Sequence, residues 1–512
     1  MSVNAYQVPK EEPSAPAELV CENRYLRVNL SARDGGSVQA SPREGSEAAV
    51  AGPLSAPGRA VLTALREGEQ EARAFLGGVD GGTGITWEAK ARVESGSAAL
   101  LLSWSLFNRR MAPTPGTPLP LRLPAAAVAF ADGAFCSLEG RTVVAALDRR
   151  VGVVTVRDGT VLVEARSPAL LSPLRTRSVS CTLHFVSASG VPVAANRRFV
   201  VLQDREDGKL RVHSAEETPS AKVFLQLEGG ETVEAPLSAY PERPAEYAMR
   251  GLGAPPKRLL IRSEEGEALM DAPVSMGDPA NDPLPVHGEG RRRVADTLAT
   301  LPAEWAQWEE LPFAGGLRAL AEGRQADAER LLLVATHSPG LEHAAWFALG
   351  LAAMRDERWL LAAADFEESL LYCGSNPLAW WLKNWSLRNV GEEDEHDLPN
   401  AHFLAPLEPC LRMEAFLSGG GEKVLEEFGA DPVPFLEVAD LLWWCGQEAE
   451  RQMVLAAGAE QTSDALLHRL RAISLRRQGM EMEAAEEERR AAAAQTRTEP
   501  HRTSELMELH SA

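Results

Sequence analysis

The sequence lacks any run of about 18 apolar residues, the length that a membrane-spanning helix needs. Residues 1–16 also lack the basic segment and apolar core that mark a secretory signal. The six cysteines are spread too widely for a zinc knuckle or a CxxC redox pair, and we interpret them as buried thiols in a reducing compartment. These absences predict a cytoplasmic protein that does not cross a membrane.

Positive charge is scarce in the second half of the chain. Residues 301–512 hold 18 lysines and arginines against 37 aspartates and glutamates, whereas residues 1–300 hold 34 against 36. Such a field repels phosphate backbones and anionic lipid headgroups. We therefore expect no nucleic-acid or membrane-surface partner, and a basic partner fits better. Arginine outnumbers lysine throughout, which hints at a GC-rich bacterial source.

Catalytic signatures are missing as well. The sequence contains no Walker A segment, GxGxxG unit, GxSxG elbow or HExxH site, and it predicts no cofactor. Asp394, His396, Asp397 and His402 are residue types that bind metals, but their spacing follows no helical face. We interpret them as an acidic, solvated loop between helices, and we predict no metal site.

What the sequence does contain is a pattern that repeats after 34 residues between residues 311 and 374, the period of the tetratricopeptide repeat. Small residues are expected where two helices of a hairpin cross, and bulky residues beside them. Helix hairpins are predicted at 313–336, 343–373, 378–417, 434–456 and 464–494. The repeat-defining residues are Gly316, Ala328 and Leu332 in the first copy, and Trp346, Leu349, Gly350, Ala362 and Phe366 in the second.

Before this region the pattern alternates with a period of two, as in strands. Residues 41–58 are predicted to be a loop, and residues 60–76 a single amphipathic helix. The predicted fold class is multidomain β + α, with an N-terminal half rich in antiparallel β-sandwich and a C-terminal tetratricopeptide-like α-solenoid. The predicted divisions are a sandwich at 18–190, a small β-domain or continuation at 191–275, a linker at 276–300 and helical repeats at 301–497.

Three stretches carry a resemblance to a known family: residues 22–28 with Gly35-Gly36, residues 104–109 (WSLFNR), and the C-terminal series at 400–403, 434–439, 465–494 and 500–502. On these the chain resembles bacterial tetratricopeptide-repeat proteins that carry an N-terminal mutarotase-like β-domain of unknown function. The resemblance implies a β-domain that binds carbohydrate.

Two sets of candidate site residues follow. A mutarotase-type enzyme needs a histidine and a carboxylate at one pocket, and His184, His213 and Glu164, with Glu88, are the candidates in predicted strands. The interpretation we favour is that His184 is an ordinary strand histidine and that the glutamates are solvated. The candidates for binding a partner in a solenoid groove are five aromatic residues: Trp380, Trp381, Trp385, Trp443 and Trp444. Adjacent tryptophans point different ways on a helix, so one of each pair is expected in the core.

Three functions stay open on this sequence. The first is a non-enzymatic scaffold that binds a protein or peptide in the groove of the solenoid, with a β-domain for carbohydrate. The second is a sugar-active, mutarotase-like enzyme in the N-terminal domain. The third is a structural solenoid that associates with itself.

Overall fold

The computed structural model describes most of the chain. The predicted linker at 276–300 and Asp394 of the acidic loop lie outside the described residues. The described residues are 3–8, 17–43, 48–56, 59–80, 82–130, 132–147, 152–165, 170–204, 207–249, 252, 254, 256–273, 308–392, 396–420 and 422–495.

The N-terminal half consists of antiparallel sheets. Its strands are β1 (Asn4–Gln7), β2 (Glu18–Glu22), β3 (Leu26–Ser31), β4 (Ser37–Pro42), β5 (Ala49–Ala51), β6 (Leu62–Glu67), β7 (Glu71–Val79), β8 (Ile85–Glu94), β9 (Ala99–Asn108), β10 (Thr114–Pro115), β11 (Leu119–Arg122), β12 (Val128–Phe130), β13 (Gly133–Leu138), β14 (Arg141–Leu147), β15 (Gly152–Arg157), β16 (Thr160–Ala165), β17 (Leu170–Leu171), β18 (Thr176–Val186), β19 (Val191–Ala195), β20 (Phe199–Asp204), β21 (Lys209–Ser214), β22 (Thr218–Leu227), β23 (Thr232–Ala239), β24 (Ala245–Ala248), β25 (Pro256–Ser263) and β26 (Ala268–Pro273).

Two eight-stranded sheets share one hydrophobic core. Sheet I has the order β1-β2-β3-β4-β5-β11-β16-β15, and sheet II has the order β12-β13-β14-β18-β9-β8-β7-β6. Alternate residues of both sheets point into the core, where the rings of Trp87 and Trp104 stack at 5.5 Å. The opposite residues of sheet II therefore form an outer face on which other elements can pack.

The prediction of one helix at residues 60–76 is wrong, because this stretch forms β6 and most of β7. Ala74 pairs with Ala91 and Leu76 pairs with Ala89, so β7 gains a complete neighbour in β8. Small alanines fit the tight core beneath the sheet, and this tertiary pairing overrides the helical preference of the sequence. The predicted loop at 41–58 also contains a strand, β5.

Two smaller sheets follow, with a core of their own. Their orders are β19-β20-β21-β24 and β23-β22-β25-β26. Phe199, Val223 and Ile261 are among the buried residues that the two sheets share. Their first strand begins at Val191. The division of the chain into domains at the predicted residues stays a prediction.

The C-terminal half is helical. None of the helices among the described residues is both long and apolar enough to cross a membrane. The helices are α1 (Pro312–Ala321), α2 (Gln325–Ala335), α3 (Glu342–Arg355), α4 (Trp359–Tyr372), α5 (Pro377–Asn389), α6 (Asp397–Leu404), α7 (Pro409–Leu417), α8 (Val433–Trp444), α9 (Glu448–Thr462), α10 (Ala465–Arg477) and α11 (Glu481–Ala493).

Glycines mark the crossing points of the first two hairpins. A Cβ on Gly350 of α3 would lie 2.6 Å from the Phe366 ring of α4. One repeat earlier, a Cβ on Gly316 of α1 would lie 2.8 Å from Leu332 of α2. Only glycine lets these helix pairs approach so closely. This explains why a glycine on one helix and a large apolar residue on the next recur together in the sequence.

Helices α3 and α8 are buried on nearly every side. Eleven of the 14 residues of α3 and ten of the 12 residues of α8 are buried, and the Arg355 guanidinium of α3 lies 5.1 Å from the Trp443 ring of α8. The same core includes Phe75 and Phe107 from the outer face of sheet II. The helices therefore pack against each other and against the sheet, and α3 and α8 do not line an open trough.

Candidate functional site

A buried ion pair joins the helical half to the β half. The Arg109 side chain follows β9 and lies 3.3 Å from the Glu408 carboxylate at the start of α7. Both side chains are almost completely inaccessible to solvent. Thr86 donates a hydrogen bond of 3.0 Å to the other Glu408 oxygen, and Arg109 also contacts the Cys410 sulfur at 3.1 Å. A charge buried this deeply is stable only with its partner in place.

Asn108 stabilises the turn after β9, from which Arg109 extends toward the helices. Its side-chain amide donates to the carbonyl oxygens of Ala112 and Leu171, at 2.8 and 3.1 Å, and thereby holds the turn after β9. Asn108 and Arg109, at the end of the WSLFNR stretch, thus have structural roles. Asn108 holds the turn, and Arg109 forms the ion pair with the helical half.

Further contacts tie the two halves together around this pair. Asp431, just before α8, accepts from the Ala60 backbone N–H at 2.7 Å and pairs with Arg59 at 3.3 Å. His343 of α3 contacts the Pro173 carbonyl oxygen at 2.7 Å. These contacts are mostly buried, so the helical half covers one end of the outer face of sheet II.

Of the predicted catalytic residues, His184 and His213 come together, but Glu164 does not. Burial lowers the pKa of His184 to about 4, although the Asn196 carbonyl oxygen, 2.9 Å from Nε2, favours its protonated form. Burial also lowers the pKa of His213, to about 3, and the nearby His184 adds to this. Both imidazoles are therefore neutral near pH 7 and are poor proton donors.

Glu164 lies on a different surface of the molecule. Its neighbours Val161 and Val163 on β16 point into the shared core, so Glu164 points outward from sheet I. His184 points outward from sheet II, because Leu183 and Cys181 point inward. Both sheets lie between the carboxylate and the imidazoles, and the three residues cannot act on one substrate.

The predicted partner-binding tryptophans occupy two kinds of position. Trp381, Trp385 and Trp443 are buried, and Trp381 and Trp385 pack edge to face at 5.2 Å while Trp381 donates to Glu414. Trp380 and Trp444 are partly exposed. Each adjacent pair thus has one ring in the core and one at its edge, and the three buried rings present no free face to a partner.

The predicted repeat residues lie at the hairpin crossings, with one difference in burial. Ala328, Leu332, Ala362 and Phe366 are fully buried and Leu349 nearly so. Trp346 is only partly buried and packs against the edge of the helical core.

The acidic loop does not assemble a metal site in the part of the chain that the structure describes. Asp397 is 1% exposed and lies 3.4 Å from the Lys383 ammonium. The His402 carbonyl oxygen accepts a hydrogen bond from Arg66 at 2.8 Å. Within the described residues, no three histidine, cysteine or carboxylate side chains are arranged to hold an ion.

A surface that the sequence analysis missed lies between α2 and α4. Since α2, α3 and α4 follow one another through short turns, α2 and α4 run in the same direction on either side of α3. The Arg358 side chain, just before α4, pairs with Glu329 of α2. We call this surface the outer groove, formed by Glu329 and Leu333 of α2 with Leu361, Asp365, Glu368 and Tyr372 of α4.

The outer groove combines apolar and acidic side chains. Leu333, Leu361 and Tyr372 are 50%, 44% and 49% exposed. Asp365, in contrast, is buried, and burial raises its pKa to about 7; Arg358 opposes this shift, while Glu329 and Glu368 reinforce it. The sequence did contain a signal for this surface. The spacing of residues 361, 365, 368 and 372 places them on one stripe of α4.

A second polar surface lies on sheet II, beyond the part that the helices cover. We call it the open face, formed by Glu88, Lys90, Ser103, Ser105, Ser178 and Ser180. Two pairs of serine oxygens, 103 with 180 and 105 with 178, lie 2.7 Å apart. Burial raises the pKa of Glu88 to about 7, opposed by Lys90 and Arg66, and burial also lowers the pKa of Lys90.

An exposed aromatic ring stands at the edge of the open face. The guanidinium of Arg66 lies 5.3 Å from the rings of both Phe75 and Phe403. Phe403 belongs to α6 and is 65% exposed. The β half and the helical half therefore both contribute to this edge, an arrangement that neither half of the sequence could indicate alone.

No family model matches the chain, and no curated protein matches it. Solved structures are similar to it only remotely. A TPR-domain containing protein from Parabacteroides distasonis shares 11% identity over 98% of both chains, with a TM-score of 0.24. The structure named MamA MSR-1 C2 shares 14% identity over 36% of this chain and 95% of its own, with a TM-score of 0.18.

A polysaccharide lyase is also similar, at 11% identity over 96% of this chain and 82% of its own, with a TM-score of 0.19. Structural neighbours of the chain thus include a protein with tetratricopeptide repeats. At TM-scores this low, none of these likenesses carries an argument about what the chain does.

Proposed function

We propose that this protein is a non-enzymatic binding scaffold. In this proposal the helical half is a tetratricopeptide-like array that receives a protein partner on the outer groove. The β half holds the other side of the array in place. The single observation that carries the proposal is the exposure of apolar side chains on two helices, Leu333 on α2 and Leu361 on α4, that flank the largely buried α3.

The outer groove is chosen as the binding surface because the β half already covers other faces of the helices. The faces of α7 and α8 that meet the β half are already occupied, because Arg109 contacts the Cys410 sulfur and the Glu437 carbonyl oxygen. The apolar side chains on α2 and α4 instead extend beyond the outer groove to Val334, Leu360 and Leu371, at 55%, 58% and 74% exposure. Exposed apolar area that is contiguous and bordered by charge is typical of protein interaction surfaces.

The test compares partners captured from the native extract at low ionic strength. Replacing Leu333 and Leu361 with serine should weaken capture about tenfold or more, since apolar anchors dominate such interfaces. The fold should be unaffected because both side chains are about half exposed. Met482→Ser is the matched control, since Met482 is 82% exposed on the distant α11. Equal capture by the double variant and the wild type would contradict the proposal.

A carbohydrate ligand at the β half is a second candidate, supported by the open face. Glu88 and Lys90 are half-buried charged groups two residues apart, and each serine pair leaves one hydroxyl proton available to a ligand oxygen. Phe403 offers a ring on which a sugar could stack. A sugar-active enzyme would need Glu88 as its acid or base, because Glu164 does not share a surface with His184 and His213.

Isothermal titration of the full chain with neutral mono- and oligosaccharides tests this candidate. Glu88→Gln should reduce the affinity about tenfold, since it removes a charged hydrogen-bond acceptor. Glu71→Gln is the control, because Glu71 already pairs with Arg73 and Arg92. A flat trace across the saccharides would reject carbohydrate binding and leave the scaffold proposal as it stands.

The proposed location is the cytoplasm. All six cysteines are free thiols and all are buried, which is typical of proteins kept in a reducing compartment.

A further inference from the structure

The outer groove holds three carboxylates, and the cation Arg358 lies beside it. Arg358 is already engaged, because it pairs with Glu329 and lies 3.3 Å from Asp356. No residue in the described part of the chain donates a hydrogen bond to the Asp365 carboxylate, although Asp365 is only 8% exposed. Its oxygens are not among the fully buried side-chain atoms, so a cation brought by a ligand could pair with this largely buried carboxylate directly and gain a strong interaction.

We propose that the outer groove binds a basic, amphipathic segment of a partner protein, with apolar side chains on Leu333 and Leu361 and a lysine or arginine paired with Asp365. This inference rests on the scaffold function proposed above and names the chemistry of the partner. Charge complementarity supports it, because residues 301–512 hold 37 acidic side chains against 18 basic ones.

The spacing of the groove fits a helical segment. Leu361, Asp365 and Glu368 recur about once per turn of α4, and Leu333 lies four residues beyond Glu329 on α2. A helix lying between two parallel helices presents its own residues at the same interval. A partner helix with one apolar residue and one basic residue per turn would therefore place these side chains against Leu361 and Asp365.

The protonation of Asp365 makes this contact depend on pH. Burial raises the pKa of Asp365 to about 7, and the charged groups that act on it are Arg358 just before α4, Glu329 on α2 and Glu368 on α4. A partner cation favours the ionised carboxylate and so lowers this pKa in the complex. Binding should therefore release a proton, and the affinity should rise as the pH rises from about 6 to about 8.

The experiment uses the full chain and two synthetic peptides. One peptide is an amphipathic helix of leucine, alanine and lysine, and in the other every lysine is replaced by glutamine. The lysine peptide should bind at least about tenfold more tightly, and the difference should shrink in Asp365→Asn. Glu367→Gln is the matched control, because Glu367 lies on the next stripe of α4 and its side chain is 64% exposed.

The outcomes separate this inference from the scaffold function. If wild-type protein binds both peptides equally, or if Asp365→Asn keeps the full preference for lysine, the inference is overturned and the scaffold function survives. If neither peptide binds, the inference is overturned, and the scaffold function is then decided by the capture experiment with Leu333 and Leu361 replaced by serine. The pH dependence of wild-type affinity needs no variant, and an affinity for the lysine peptide that does not change between about pH 6 and 8 also overturns the inference.

Discussion

Replacing Arg109 with methionine is expected to lower the free energy of unfolding by about 3–5 kcal/mol, since it leaves the buried Glu408 carboxylate without its counterion. Glu408 is fully inaccessible, and among the described residues Thr86 alone would still donate a hydrogen bond to its carboxylate. Denaturant unfolding, followed by tryptophan fluorescence, measures the change. Nine of the 11 tryptophans lie between residues 305 and 444, so this signal reports mainly on the helical half.

Two further variants identify the cause of the loss. Replacing both Arg109 and Glu408 with methionine should recover much of the stability, because the pair is incompletely satisfied: the Nε and Nη1 groups of Arg109 lack hydrogen bonds among the described residues. Arg330→Met is the control, since the Arg330 side chain is 72% exposed and should cost less than about 1 kcal/mol. A small loss for Arg109→Met alone would mean that the ion pair does not hold the halves together.

Replacing Phe366 with alanine is expected to cost about 3–5 kcal/mol, because it removes a large side chain from a core that cannot close around the gap. Phe366 is completely buried, packs edge to face on Phe347 at 5.3 Å, and fills the space left by Gly350. Thermal or denaturant unfolding measures the loss. Leu361→Ala on the same helix is the control, because Leu361 is 44% exposed.

The glycine at this crossing gives an independent check. Gly350→Ala should destabilise the wild type but should become neutral or favourable in the Phe366→Ala background, where its Cβ has room. Gly315→Ala, whose nearest neighbour would be 3.5 Å away, should instead stabilise the protein by about 0.5–1 kcal/mol. Additive effects of Gly350→Ala and Phe366→Ala would show that the glycine and the ring do not constrain each other.

Much of the local structure could be predicted from the sequence. Helices α10 and α11 separate at residues 478–480, where Gln478-Gly479 predicts a break, and the period of two predicts strands such as β8 and β9. Residues 60–76 could not be assigned correctly, because their alanines suit a helix and a tight sheet core equally well. Only the neighbouring strand β8 decides between the two.

The candidate sites were less predictable than the fold. The stripe with Leu361 and Asp365 is present in the sequence spacing, but the same spacing is found on many solvated helices. What distinguishes it is the burial of Asp365 within reach of the Glu329 charge, which depends on where α3 places α2 relative to α4. The separation of Glu164 from His184 likewise depends on which sheet each strand joins, and the sequence carries no signal for that.

The sequence by itself determined where strands give way to helices, which residues lie at the first two hairpin crossings, and the acidic character of the helical half. These properties depend on neighbours a few residues apart or on composition alone. Only the tertiary structure decided that the helices pack on sheet II, that Arg109 meets Glu408, and that exposed leucines of α2 and α4 flank α3. Contacts between residues far apart in the chain are set by which surfaces fit together, and no local pattern encodes that fit.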